Sequence, residues 1–112
     1  MQISVAQHET VFVVAVAGSL DALTADTLTS ALQSELQQGH TQLVAALEGL
    51  DYTSSAGLRV LLATVKEARR LGGDLRLAGA QERVRRVLDL SGFTSILKCY
   101  ADAPAAVASY AA

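Results

Sequence analysis

The run VFVVAVA, Val11–Ala17, is apolar at every one of its seven positions. A strand with one wet face alternates apolar and polar residues, so a run apolar on both faces belongs in the middle of a sheet covered on both sides. Gly18 ends it. The run is also far short of the roughly 20 residues that a membrane-crossing helix requires. The opening MQISVAQHET lacks the charged and apolar regions of a signal peptide, so a cytoplasmic protein without membrane insertion is expected.

Around this strand, β-type and α-type patterns alternate without internal repeats. QISVA, with Ile3 and Val5 on one side, reads as an edge strand with one packed face, joined to the central run by the hairpin-length QHET. LDALTADTLTSALQSELQQGH carries Leu28, Ala31, Leu32 and Leu36 at the spacing of a buried helical stripe. Asp21 or Thr24 can cap that helix, and Gly39 is placed to end it. Leu43–Leu47 has the length of a buried third strand, and the chain is expected to turn from it straight into a second helix. That helix starts within TSSAG, buries Leu58, Leu61, Leu62, Val65 and Ala68, and stops at Gly72 and Gly73. DLRLAG reads as a strand and AQERVRRVLDLSG as a short helix with Val84, Val87 and Leu88 inward. FTSILKCY has extended character, and DAPAAVASY opens a last helix with Asp102 as cap and Pro104 in its first turn. The class is α/β with a single sheet, in one domain over residues 1–112.

Half the residues are hydrophobic (51%) but only 4% are aromatic, so Val, Leu and Ala must build the core. The single cysteine, Cys99, has no partner for a disulfide or a zinc site and reads as a small packed residue. Net charge is only -2, yet residues 1–58 contain no Lys or Arg, while the bases gather between Arg59 and Arg86. These bases fall on helix exteriors without interleaved aromatics, which favours a solvated or protein-binding face over nucleic acid. The cluster Arg83, Arg85 and Arg86 is read in the same way, and His8 and His40 as loop histidines.

The segment LDYTSSAGLRVLL, Leu50–Leu62, sets two hydroxyls at the start of the second helix, where free backbone N–H groups and the positive dipole end can hold an anion. As a helix cap, Ser54 would accept from Ala56 or Gly57 N–H, which leaves Ser55 without a task. A nucleophile elbow centred on Ser55 would put Thr53 where its first glycine belongs, with His8 and His40 as the only histidine bases. A phosphate-binding G-x-x-x-x-G-K-[ST] loop is missing, and Asp21 alone does not supply the acid cluster of an aspartyl-phosphate receiver. What remains is a serine modified by another enzyme. Gly57 is expected to keep the surface low beside it for a docking protein.

At these residues the chain resembles the STAS domains, and within them the free-standing anti-sigma factor antagonists of bacteria. The resemblance runs from GSLDALTA through LEGLDYTSSAGLRVLL and GGDLRLAGAQERVRRVLDLSGF to YADAPAAV. It implies a mixed sheet of four to five strands with about four helices packed mainly on one face. In that family the motif is Asp-Ser-[Ser/Ala]-Gly-Leu, and the serine before the small residue is the phosphorylation site. Carried over, the acceptor is Ser55, followed by Ala56, Gly57 and Leu58, with Asp21 at the acidic position beside it. The acid of the motif is Ser54 here, which makes Ser54 the second candidate.

The resemblance implies a partner switch. The unmodified protein would bind an anti-sigma factor that is also a serine kinase of the histidine-kinase-like ATPase superfamily, and so free its target. Phosphorylation of Ser55 would release the antagonist, and a PP2C-type phosphatase would restore it. ATP and metal belong to those partners, and no cofactor or catalysis is expected of this chain. The implied docking patch is Asp21, Thr24, Ser54, Ser55, Ala56, Gly57, Arg59 and Val60. The alternative is a non-switching STAS scaffold subunit, as in a lipid-transport ATPase complex.

Overall fold

The computed structural model describes residues 1–111. Strand β1 (Gln2–His8) pairs antiparallel with β2 (Val11–Leu20) across a two-residue turn in which Glu9 takes φ 58°. In β1 only Ile3 packs on the core, whereas Val5 is exposed. This corrects the expected continuous packed face: β1 is the outermost strand and rests chiefly on β2. The central run behaves as its composition requires. Val14, Val16 and Leu20 of β2 enter the larger core cluster, while Val11 and Val13 enter a smaller one on the other face.

Helix α1 (Ala25–Gln37) buries Leu28, Leu32 and Leu36, with Ala31 at the edge of the stripe. It ends where Gly39, at φ +85°, lets its own N–H reach Leu36 O and that of His40 reach Glu35 O, both at 3.0 Å. Strand β3 (Gln42–Ala46) then runs parallel to β2. The chain does not pass directly from there into a helix. A further strand, β4 (Leu50–Thr53), continues along the same edge of β2, pairing with Gly18–Leu20 beyond the residues that β3 covers. Only then does α2 (Ser55–Arg70) begin.

Strand β5 (Asp74–Ala78) pairs parallel with β3, α3 (Glu82–Leu90) follows, and β6 (Cys99–Tyr100) pairs parallel with β5. The order is β1-β2-β3-β5-β6 with β4 on β2, six strands where four to five were expected. The additions are short. In FTSILKCY the expected extension is confined to Cys99–Tyr100, because Phe93–Ser95 forms a 3₁₀ turn. Apolar residues of α1, α2 and α3 share one core with the sheet, whereas α4 (Ala103–Ala108) places Ala106 on the other face against Val13, Val44 and Ala78. Asp102 caps α4, its Oδ1 accepting from Ala105 N–H at 2.9 Å.

Polar contacts at the start of β5 tie α2 and the segment after α4 to the sheet. The buried carboxylate of Asp74 is met by Arg69 Nε at 2.9 Å and Arg76 Nε at 3.1 Å. Tyr110 donates its hydroxyl to Leu43 O at 2.7 Å and Asp74 O at 2.9 Å, with the Arg76 guanidinium 3.8 Å from its ring centroid. Burial, reinforced by the Asp74 charge, pushes the Tyr110 phenol well above its ordinary value.

Candidate functional site

The site forms where β2 and β4 end side by side. Register places Leu20 opposite Thr53, and Ser54 N–H donates to Leu20 O at 2.8 Å. One residue further along each strand, Asp21 and the start of α2 are therefore neighbours. This is the carboxyl end of parallel strands, the usual location of binding sites in α/β sheets.

The two serines divide their tasks. Ser54 is the N-cap of α2, extended at φ -93° and ψ 175°, and its Oγ accepts from Gly57 N–H at 3.4 Å. Ser55 is the first helical residue and is exposed, and the capping bond does not use its hydroxyl. The first turn of α2 carries no acidic side chain, so the helix dipole at Ser55 is not offset within its own helix.

Asp21 organises the neighbouring turn. Its Oδ1 accepts from Leu23 N–H at 2.9 Å and Thr24 N–H at 3.2 Å. Thr24 Oγ1 accepts from Asp21 N–H at 2.9 Å and donates to Ser19 O at 2.8 Å. Thr24 thus stands at the N-cap position of α1 without bonding a helix N–H through its side chain, and Asp21 closes the turn before it.

The remaining patch residues divide by burial. Arg59 is exposed, Ala56 and Val60 are half-buried, and Gly57 is buried. The burial of Gly57 overturns its reading as a low point on the surface. A Cβ there would stand 2.5 Å from Leu20 Cγ and 2.6 Å from Thr53 Oγ1, so glycine is demanded by the packing of α2 onto β2 and β4. Leu20 and Thr53, absent from the sequence-derived patch, are the residues that set its floor. The visible signal for Leu20 was its place beside Asp21 in GSLD.

Both histidines lie at the other end of the sheet. His8 is the last residue of β1, not a loop residue, and pairs with Val11, nine positions before Leu20 on β2, a distance of about 30 Å along a strand. His40 precedes β3, stacks on Phe12 with ring centroids 3.6 Å apart and bonds Glu35 Oε1 at 3.0 Å. Neither reaches Ser55 as a general base. A concavity of about 700 Å³ also lies at that end, between His8, Thr10, Pro104, Val107 and Tyr110. Arg85 and Arg86 are exposed and pair within α3 with Asp89 and Glu82. Among the described residues no helix is long and apolar enough to cross a membrane.

Known proteins share the sequence pattern and the fold. The STAS domain family matches residues 2–106. BtrV of Bordetella bronchiseptica is 32% identical over 110 residues, 98% of this chain and 95% of its own. The anti-sigma-B factor antagonist of Bacillus subtilis is 32% identical over 97 residues, 87% of this chain and 88% of its own. Among solved structures, an anti-sigma factor antagonist from Mycobacterium paratuberculosis superposes with a TM-score of 0.89 at 26% identity, covering 96% of this chain and 92% of its own. The phosphorylated form of the Bacillus cell fate determinant SpoIIAA gives 0.75 at 19% identity, covering 97% and 99%. On the match to nearly its whole length and on this shared fold, the chain belongs to the STAS domain family.

Proposed function

We propose that this chain is an anti-sigma factor antagonist that works in the cytoplasm as one half of a partner switch. Unmodified, it docks on an anti-sigma factor that is also a serine kinase of the histidine-kinase-like ATPase superfamily. Phosphorylated on Ser55, it lets go, and a PP2C-type phosphatase resets it. The observation that carries this reading is the division between the serines: the cap is made by Ser54, so Ser55 stands exposed on the first helical turn with its hydroxyl uncommitted to the cap. The names of the relatives support the same reading.

The physics of the switch follows from position. A phosphoserine carries about -1.5 to -2 charge at neutral pH, which a helix N-terminus tolerates. The nearby Asp21 and a closely packed partner oppose it. Binding is therefore lost while the fold is kept.

Peptide mass spectrometry after incubation with ATP and the purified kinase tests this, with Ser55→Ala and Ser54→Ala alongside. One phosphate, lost in Ser55→Ala and kept in Ser54→Ala, is expected. A kinase that is active, binds the chain and transfers no phosphate points instead to a constitutive docking subunit. A phosphate that survives Ser55→Ala and vanishes in Ser54→Ala moves the acceptor to the cap.

A further inference from the structure

Leu23 is 91% exposed, more than any other large apolar side chain among the described residues. Isolated surface leucines are common, so exposure alone means little. Its backbone sets this one apart. Its N–H is held by Asp21 Oδ1 at 2.9 Å, and the same carboxylate and Thr24 Oγ1 close the turn on either side of it. A side chain on a fixed turn has less backbone freedom to lose on binding than one on a loose loop. Leu23 follows by only three positions Leu20, whose carbonyl holds Ser54, so it stands within roughly 10 Å of that bond.

The surroundings describe the partner. Asp21 and Asp26 flank Leu23 along the chain, Asp51 lies on β4, and residues 1–58 hold no Lys or Arg, the first being the exposed Arg59 on α2. Leu90 offers the same chemistry elsewhere. It is 83% exposed at the end of α3, shortly before the 3₁₀ turn whose following residue, Ile96, accepts from Arg69 near the far end of α2. Ser55 and Arg69 are the first and fifteenth residues of α2, about 20 Å apart along the axis.

Resting on the partner-switch reading above, we propose that Leu23 is the apolar anchor of the docking surface. It enters an apolar pocket on the kinase whose rim is basic and faces Asp21 and Asp26. A side chain buried in a fitting pocket near the centre of an interface, with water excluded around it, carries a large share of the binding energy, while complementary charge at the rim steers the encounter.

Calorimetric titration of the full chain with the purified kinase, in ADP so that no phosphate is transferred, tests the proposal. Leu23→Ala is expected to weaken binding about tenfold or more, the loss for withdrawing most of a buried leucine. Leu23→Met restores affinity to within about threefold, since volume and apolarity are kept. Leu90→Ala binds like the parent, and none of the variants shifts the thermal midpoint. Parent-like affinity of Leu23→Ala, or an equal loss in Leu90→Ala, overturns the assignment. Ser55→Asp is titrated beside them. If it binds like the parent, the charge switch fails while Leu23 is still decided by its own variants; a parent chain that binds no such kinase sinks both.

Discussion

Gly57→Ala separates two reasons for a glycine at the candidate site. If the glycine kept the surface low for a partner, alanine would leave stability unchanged and impair docking alone. The packing requires the opposite order of effects. The added Cβ would meet Leu20 Cγ at 2.5 Å, Thr53 Oγ1 at 2.6 Å and Leu20 Cδ2 at 2.7 Å. Leu20 is fully buried and Thr53 nearly so, and a swing of Leu20 about χ1 would only drive it into other close-packed core neighbours. Relief must come from α2 lifting off β2 and β4. Overpacking costs about 1–3 kcal/mol, and three contacts below 3.0 Å put this case at about 2–3; alanine's better helix propensity returns about 1 kcal/mol, so a net loss of about 1–2 kcal/mol is expected. For a domain of this size that lowers Tm by about 5–10 °C. Urea unfolding followed by far-UV circular dichroism measures it. Because the lift also stretches the Ser54–Leu20 bond, phosphorylation at Ser55 slows in the same variant. An unfolding midpoint equal to or above that of the parent refutes the packing account.

Other perturbations test the remaining contacts. Ser54→Ala removes the α2 cap and is expected to cost about 1 kcal/mol in the same urea assay while leaving Ser55 modifiable. Asp74→Asn leaves the largely buried Arg76 without its anion and destabilises by about 2–4 kcal/mol, the largest single loss expected here. The raised Tyr110 phenol gives an alkaline limit. Above about pH 10 the unfolded tyrosine ionises while the folded one stays protonated, so stability falls as pH rises, and Tyr110→Phe flattens that slope. Burial likewise raises the Cys99 thiol, so its alkylation by iodoacetamide at pH 8 is slower than that of an unfolded control.

What was legible in the sequence was local. The stripe Leu28, Leu32 and Leu36, the cap Asp102 with Pro104 after it, and the both-faced run of β2 each depend on neighbours a few positions away, and each is found where its pattern puts it. Ser54 as cap belongs to the same class, since N-cap geometry involves only the next three residues. Strand β4 escaped because LDYT buries only its two ends, Leu50 and Thr53, and exposes Asp51 and Tyr52. Neither period two nor an apolar run is visible in that pattern.

The misreading of Gly57 follows from the missing strand. Without β4 there is no register between Leu20 and Thr53, and without that register nothing in the sequence says that these residues lie beneath the first turn of α2. A glycine beside two serines then looks like surface, because the residues that bury it, Leu20 and Thr53, belong to other elements. Once β4 is in place, the same glycine becomes the contact that brings α2 close to β2. That closeness sets Ser55 beside the turn of Asp21 and Leu23. The fourth strand therefore does more for the candidate site than any motif residue: it supplies no hydroxyl and no charge, but it fixes which two loops of the chain a partner meets together.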